Sequence, residues 1–387
     1  MEEVNLTQKH IINNFIHKIG VHCESSALRD MFEYYNFPMS EAMVFGLDAT
    51  MGFGFFDKSV NIPNIENGKS DTSIFLGGKQ GTITPSSLSC RLLGITLRKQ
   101  SFSSEDKAWK ESKKLLDQNI PMILQVDLGF LPYINTEENE EIHFGGHAIT
   151  LAGYDEDKGI TLVGDTEYKD FQEVSIEDLK KARRSKEGPS YLHPNNAQYS
   201  MIRRPDGKYP PLAAGIKLAI QQVVNNMLRP SVNYIGIQGL KKFSNSIINW
   251  KEELKGIFKS PFSSKETSLS KTTFELVHGY IETWGTGGGA FRKLYTTFLE
   301  EVLVHPEVKN GPRAWEIEEL KIVEDVIPMV KDSANKWSKF AYILKKAVDE
   351  HDEDCINYVS IDELHNITSE IIIEEEELFT KLSKIRI

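Results

Sequence analysis

The stretch HAITLAGYDEDKGITLVGDT, residues 147–166, restricts the fold more than any other part of the chain. Two apolar, β-branched runs, 147–155 and 159–166, flank Glu156-Asp157-Lys158-Gly159. The glycine tolerates the positive φ that a tight reversal needs, so the segment predicts an antiparallel hairpin. The rest of the first half mixes strand and helix signals. IPMILQVDL (120–128) is a continuous apolar run of the kind found in buried strands. Ala27, Leu28, Met31, Phe32 and Tyr35 recur at helical spacing behind His22-Cys23, and Pro38 closes that helix. Ser104–Asn119 predicts another helix, opened by a serine with acids behind it. Residues 44–82 are rich in glycine and aromatics, which predicts short strands and tight turns near a cleft. YINTEENEEI (133–142) predicts an acidic loop.

The pattern changes near Arg183. RRSKEGPSYLHPNNAQYSMIRRPDGKYPP, up to Pro211, mixes prolines, polar residues and cations and predicts an interdomain connection. Helical patterns then cover 212–228, 235–256, 271–283, 290–304, 314–348 (with a break) and 361–384. No fixed period links them, so a solenoid is not supported. The expected fold class is α+β, with a mixed domain over 1–200 and an all-α domain over 211–387. A chain of 387 residues, 40 % of them apolar, has room for two such domains and a sizeable core.

Charge and cysteine usage narrow the partners. Acids outnumber bases 56 to 45, a formal net charge of −11, which repels a phosphate backbone and an anionic membrane alike. No nucleic acid and no membrane are expected. The start MEEVNLTQKHIINNF has two acids and no basic segment ahead of an apolar one, unlike a signal peptide. No run of 18 apolar residues occurs. Cys23, Cys90 and Cys355 are odd in number and far apart, the usage of a reducing compartment. The expected location is the cytoplasm.

Three residues form a candidate catalytic set. Cys23 stands at the start of a predicted helix, where backbone N–H groups stabilise an anion, and the anion is the nucleophilic form of a thiol. Its competing reading is a small buried hydrophobe. His147 opens the hairpin behind Gly145-Gly146, and Asp165 follows the partner strand almost opposite it. A carboxylate there orients one ring nitrogen and leaves the other for a thiol. A satisfied strand-end histidine and a turn aspartate are the bland alternatives. Cysteine at a helix start, then histidine and aspartate on adjacent strands, is the order of papain-like enzymes.

Other features point less far. His17, His22, Cys23, His143 and His147 are possible metal ligands, but they lack CxxC or HExxH spacing, and no metal is expected. Gly285-Thr286-Gly287-Gly288-Gly289-Ala290 follows a helix rather than a strand and lacks the Lys-Ser/Thr of a phosphate loop, so it predicts a closely packed helix–helix turn. Without GxSxG, a serine hydrolase elbow is unsupported. Lys180, Lys181, Arg183, Arg184 and Lys186 form either a solvated helix end or a dock for an acidic protein.

Three segments carry a resemblance. HCESSALRDMFEYYNFPMSEAMVFGLDATMGFGF, FGGHAITLAGYDEDKGITLVGDT and IETWGTGGGAFRKLYTTFLEE resemble the butirosin-biosynthesis BtrH-type acyltransferase family, from about residue 15 to about residue 305. The resemblance implies a papain-like cysteine protease fold, distantly similar to bacteriocin-processing peptidases, followed by a helical domain. It implies transfer of an acyl group from a carrier-protein thioester to an amine in natural-product assembly, as in an amide-forming relative from closthioamide-type antibiotic assembly. The nucleophile then falls on Cys23, the base on His147 and the acid on Asp165. No cofactor is implied beyond the phosphopantetheine arm of an acyl or peptidyl carrier protein. Related peptidases carry an oxyanion glutamine six residues before the cysteine, where this chain has His17. A cysteine peptidase or amidase would use the same triad with water, and an inert small-molecule scaffold would not use it at all. The triad residues do not separate these readings.

Overall fold

A computed structural model describes residues 8–57, 74–79, 88–134, 143–188, 190–202, 209–259, 266–351 and 354–387. In chain order the elements are β1 (Lys9–Ile11), α1 (Cys23–Tyr34), α2 (Glu41–Leu47), β2 (Met51–Asp57), β3 (Ile74–Lys79), α3 (Leu88–Leu92), β4 (Thr96–Gln100), α4 (Glu105–Asp117) and β5 (Met122–Val126). There follow β6 (His147–Asp155), β7 (Ile160–Gly164), β8 (Gln172–Ser175), α5 (Ile176–Arg184) and β9 (Gln198–Ile202). The remainder is α6 (Leu212–Leu228), α7 (Gly236–Ile247), α8 (Trp250–Glu253), β10 (Ile257–Lys259), β11 (Glu266–Ser268), α9 (Leu269–His278), α10 (Arg292–Val304), α11 (Pro306–Asn310), α12 (Ile317–Glu350) and α13 (Ile361–Leu382). The chain is α+β and separates into two compact units. Among the described residues the first holds 8–44 and 88–202, and the second holds 45–57, 74–79 and everything from 209.

The first unit is built on an antiparallel sheet in the order β4-β9-β5-β6-β7-β8, with β1 on the far half of β6. The predicted hairpin is β6–β7, and Gly159 in its turn has φ +68°. β6 lies inside the sheet, so Ile149 and Leu151 are fully buried, as are Ile123 and Leu124 on β5. Each such side chain contributes about 1.5–3 kcal/mol by leaving water. α1 packs on β5 and β6. Ser104 caps α4 through Lys107 N–H, with Glu105 and Asp106 in the first turn, an arrangement that suits the helix dipole.

The expected interdomain connection is partly sheet. Gln198–Ile202 forms β9, inserted between β4 and β5. Its polar residues Gln198 and Ser200 are buried, so polarity there marks satisfied hydrogen bonds rather than a linker. Ser112 Oγ donates to Gln198 Oε1 at 2.7 Å. Most of the predicted acidic loop, 135–142, lies outside the described residues.

The second unit is helical, as expected, apart from the β10–β11 ribbon and the β2–β3 hairpin. The hairpin is held by aromatic packing, with Phe53 5.5 Å from Trp337 and 6.0 Å from Phe243 between ring centroids. Phe55 N–H donates to Tyr234 O at 2.9 Å. The break expected in 314–348 is absent: α12 runs unbroken through Pro328. Pro328 and Glu324, whose carbonyl loses its helical donor, both face solvent, where water replaces the missing bond. The glycine-rich run is a tight turn between helices, with positive φ at every residue from Gly287 to Phe291.

Candidate active site

Cys23 is the first residue of α1. The turn that delivers it is pinned from two sides. Glu41, on α2, accepts Val21 N–H at 2.9 Å, His22 N–H at 2.7 Å and Ser25 Oγ–H at 3.0 Å. Burial pushes the Glu41 carboxyl up, while those donors and Arg29 pull it back. On the other side Gly20 N–H donates to Thr166 O at 2.8 Å, just beyond β7. His22 caps the helix, its Nδ1 accepting Ser25 N–H at 3.4 Å. All three cysteines are free thiols, and Cys23 alone is partly exposed; Cys90 and Cys355 are buried.

The hairpin supplies the other two residues. A register shift between Leu151 and Gly153 leaves Thr150 opposite Gly164. Continuing one step places Asp165 across from Ile149, two residues beyond His147. Residues two apart on a strand share a face, so His147 is the diagonal neighbour of Asp165 and within side-chain reach. The His147 Nε2 nitrogen lies 2.9 Å from both Asp165 oxygens. With Nε2–H donated to the carboxylate, Nδ1 is the nitrogen left for the Cys23 side chain, which lies near enough to the ring to raise its pKa. The structure therefore brings Cys23, His147 and Asp165 together.

The electrostatics of the pair are one-sided. Burial opposes charge on His147, but the Asp165 carboxylate and the Cys23 sulfur outweigh it and hold the imidazolium well above the usual histidine range. Burial raises the Asp165 carboxyl, yet His147, Tyr133 and Thr166 together hold it below the usual carboxylate range. Tyr133 O–H donates to Asp165 Oδ2 at 2.8 Å, and Thr166 N–H donates to Oδ1 at 2.7 Å. The backbone behind His147 is fixed by close approach. A Cβ on Gly145 would sit 2.5 Å from Leu192 O, and Gly145 O accepts from Gln125 Nε2 at 3.1 Å.

His17 is not an oxyanion donor in waiting. Its Nδ1 lies 2.6 Å from Asp30 Oδ2, and its Nε2 lies 3.0 Å from Asp165 O and 2.9 Å from Tyr168 O. Every one of these partners is an acceptor, so both ring nitrogens carry protons and the ring is an imidazolium. Burial works against that charge, but Asp30 and the two carbonyls raise it above the ordinary histidine value. Arg29 binds the other Asp30 oxygen at 2.8 Å. A Cβ on Gly164 would meet the His17 ring at 2.7 Å, so glycine is required for this approach. The clamp fixes the backbone of Asp165 from below.

The remaining predicted features fall elsewhere. The basic run is not a free cationic surface: Lys180 pairs with Asp106 at 2.8 Å, Lys181 with Asp178 at 2.9 Å and Arg184 with Glu105 at 2.8 Å. Arg183 points inward, 2 % exposed, and donates to Ser112 Oγ and Gln198 Oε1. Among the described residues no three His, Cys, Asp or Glu side chains are grouped to hold a metal, and no helix is long and apolar enough to cross a membrane. Sequence reasoning missed Tyr133, Thr166, Glu41 and Asp30. Asp30, Glu41 and Thr166 lie inside the segments that carry the resemblance, but nothing in their spacing shows that they bond to His17, to the turn before Cys23 and to Asp165, and Tyr133 stands in what reads as an acidic loop.

Two families cover most of the chain. Residues 22–166 match the family described as butirosin biosynthesis protein H, N-terminal, and residues 177–382 match a domain of unknown function, DUF4872. The first match contains Cys23, His147 and Asp165; the second contains all of α5 but its first residue, β9 and the helices from α6 to α13. No curated protein matches the chain. The chain belongs to the BtrH-type family, and in this chain a domain of the butirosin biosynthesis protein H N-terminal kind is followed by a DUF4872 domain.

Proposed function

We propose that the protein is a cysteine-dependent acyltransferase that forms an amide in antibiotic biosynthesis, with Cys23 as nucleophile, His147 as base and Asp165 as the group that orients the base. The carrying observation is a thiol at the N-terminus of α1 set beside an imidazole that is itself bonded to a carboxylate. In the first half-reaction the Cys23 sulfur attacks a thioester on the phosphopantetheine arm of an acyl or peptidyl carrier protein. The His147 proton goes to the departing thiolate. A primary amine then attacks the acyl-Cys23 thioester, and the amine proton passes to His147 as the C–S bond breaks. Thioester exchange is near balance and amide formation is downhill, so no nucleotide is needed.

The N–H of Cys23, in the first turn of α1, has no acceptor among the described residues. It is the donor we assign to the oxyanion, a contact worth about 10²–10³ in rate where such donors have been removed. The family name supports a biosynthetic role. Intact-mass analysis after mixing with acyl-loaded carrier proteins tests the proposal. An acyl adduct on Cys23, discharged faster by added amine than by water, is expected. An adduct on Cys90 or Cys355 refutes the nucleophile, and discharge by water alone makes the protein a thioesterase or peptidase.

A further inference from the structure

Four residues before His147 stands a second histidine–aspartate pair that the triad does not use. Asp127, directly after β5, is 0 % exposed, and its Oδ2 lies 2.9 Å from His143 Nδ1. Ser185 Oγ–H at 2.6 Å, Phe144 N–H at 3.0 Å and Gly129 N–H at 3.0 Å saturate the same carboxylate. With Nδ1–H held by an acceptor-only group, Nε2 carries the lone pair. No partner occupies that nitrogen among the described residues; the Phe130 ring flanks the imidazole at 5.3 Å. The His143 side chain is as open as that of His147, 14 % exposed in each case.

The two pairs have opposite polarity. His147 commits Nε2 to its carboxylate and turns Nδ1 to the thiol, while His143 commits Nδ1 and presents Nε2. Both lie where β5 ends and β6 begins: Val126 pairs with His147, and Leu128 N–H donates to Phe144 O at 3.2 Å. Tyr133, near the first end of the same connection, reaches Asp165, and its last residues run directly into His147, so the described residues of this connection border the triad.

Resting on the acyl-transfer reading, we propose that His143 is a second general base, which accepts a proton from an alkylammonium acceptor before attack on acyl-Cys23. The need is chemical. An alkylamine resembling the lysine side chain, with pKa about 10.4, is free base to only roughly one part in 10³ at pH 7. His147, neutral once it has protonated the departing donor thiolate, can take one proton per turnover, and an ammonium nucleophile has two to lose. His143 Nε2 takes the first, and Asp127 stabilises the resulting imidazolium. The freed lone pair attacks the thioester carbon. As the tetrahedral adduct collapses, the C–S bond breaks, the electron pair returns to Cys23 and the second N–H proton moves to His147. His143 then releases its proton to solvent.

The test separates the half-reactions in the full chain. Acetyl-N-acetylcysteamine serves as donor, and acceptors are n-butylamine, charged at pH 7, and hydroxylamine, uncharged at pH 7. His143→Gln keeps a side-chain donor for Asp127. The expected variant forms acetyl-Cys23 at the wild-type rate and discharges it to n-butylamine about 10²-fold more slowly at pH 7. It discharges to hydroxylamine as wild type does, and the butylamine defect closes as pH rises toward 10. Equal discharge of both amines by variant and wild type at pH 7, or an equal loss for both amines, overturns the second base while leaving the triad standing. If wild type forms no adduct on Cys23, the acyl-transfer reading falls and the second base with it.

Discussion

Two buried ionic clusters, one in each unit, look alike and differ in one respect. In the second unit Arg292 and Glu375 are both 0 % exposed and pair at 2.8 Å. Arg292 also donates to Gly52 O and Ala290 O, and Ser333 Oγ–H donates to Glu375 Oε1 at 2.6 Å. The Trp337 face lies 5.9 Å from the guanidinium. Both charges are surrounded by partners, so the cluster is closed and acts as a staple for the β2–β3 hairpin, α12 and α13. At the triad the carboxylate is equally well supplied, but the imidazole it holds lies beside a partly exposed thiol. Burial of charge marks both clusters; only the one in the first unit has an open end, and the proposed chemistry rests on it.

Several substitutions would break or sharpen that contrast. The largest effect is expected at the open end. Cys23→Ala should lower turnover by roughly 10⁴-fold or more, and Cys23→Ser should also abolish it. Both should leave stability within about 0.5 kcal/mol, measured by thermal melting. A melting loss as large as the activity loss would make Cys23 a packing residue. His147→Ala should cost about as much activity, and Asp165→Asn less, roughly 10²-fold, because an amide still orients the ring. Equal loss at both positions, in folded proteins, would leave Asp165 a structural turn residue.

The closed cluster should answer in the opposite currency. Arg292→Met strands a buried carboxylate and should cost about 3–5 kcal/mol in denaturant unfolding, with acylation of Cys23 unchanged in whatever fraction stays folded. The His17 clamp lies between the two cases. His17→Gln removes a charged hydrogen bond to Asp30 and should cost about 1.5–3 kcal/mol. Because the folded ring titrates above its unfolded value of about 6.5, the protonated clamp stabilises fully below that pH. The contribution fades as pH rises above 6.5 through the raised folded value. Stability curves of wild type and His17→Gln should therefore converge on the alkaline side. Parallel curves would show that His17 binds without its charge.

The smallest effect is expected at the basic run. Since Lys181 and Arg184 already hold local acids, the double change Lys181→Glu, Arg184→Glu should alter kcat/KM for a carrier-bound donor by less than about threefold in a low-salt assay, where exposed charges are screened least. A steep loss that matches the effect of added salt would restore a carrier dock there.

Much of the fold was legible in local patterns. The β6–β7 hairpin follows from two apolar runs around a turn with glycine, α1 from spacing ended by Pro38, and α6 from periodicity over 212–228. That Cys23, His147 and Asp165 come together was legible because a helix start and a hairpin leave little freedom in where their ends lie. The β9 strand was hidden because its buried polar side chains look like a linker until their partners on α4 and α5 are known. The unbroken α12 was hidden because a proline costs little when the orphaned carbonyl faces water, and the side a residue faces is not local information.

Chain chemistry by itself determined which residues could act: a thiol at a helix N-terminus, an imidazole behind two glycines, a carboxylate after a strand. Only tertiary structure decided what each of them does. His17, His143 and His147 are the same side chain within the same unit, yet one has both nitrogens saturated, one offers Nε2 and one offers Nδ1 to a thiol. An imidazole has two nitrogens and several protonation states close in energy, so its role is set by which nitrogen its neighbours occupy. Those neighbours, Asp30, Asp127 and Asp165, come from a helix, the end of one strand and the turn after another, and nothing but folding brings them to the rings.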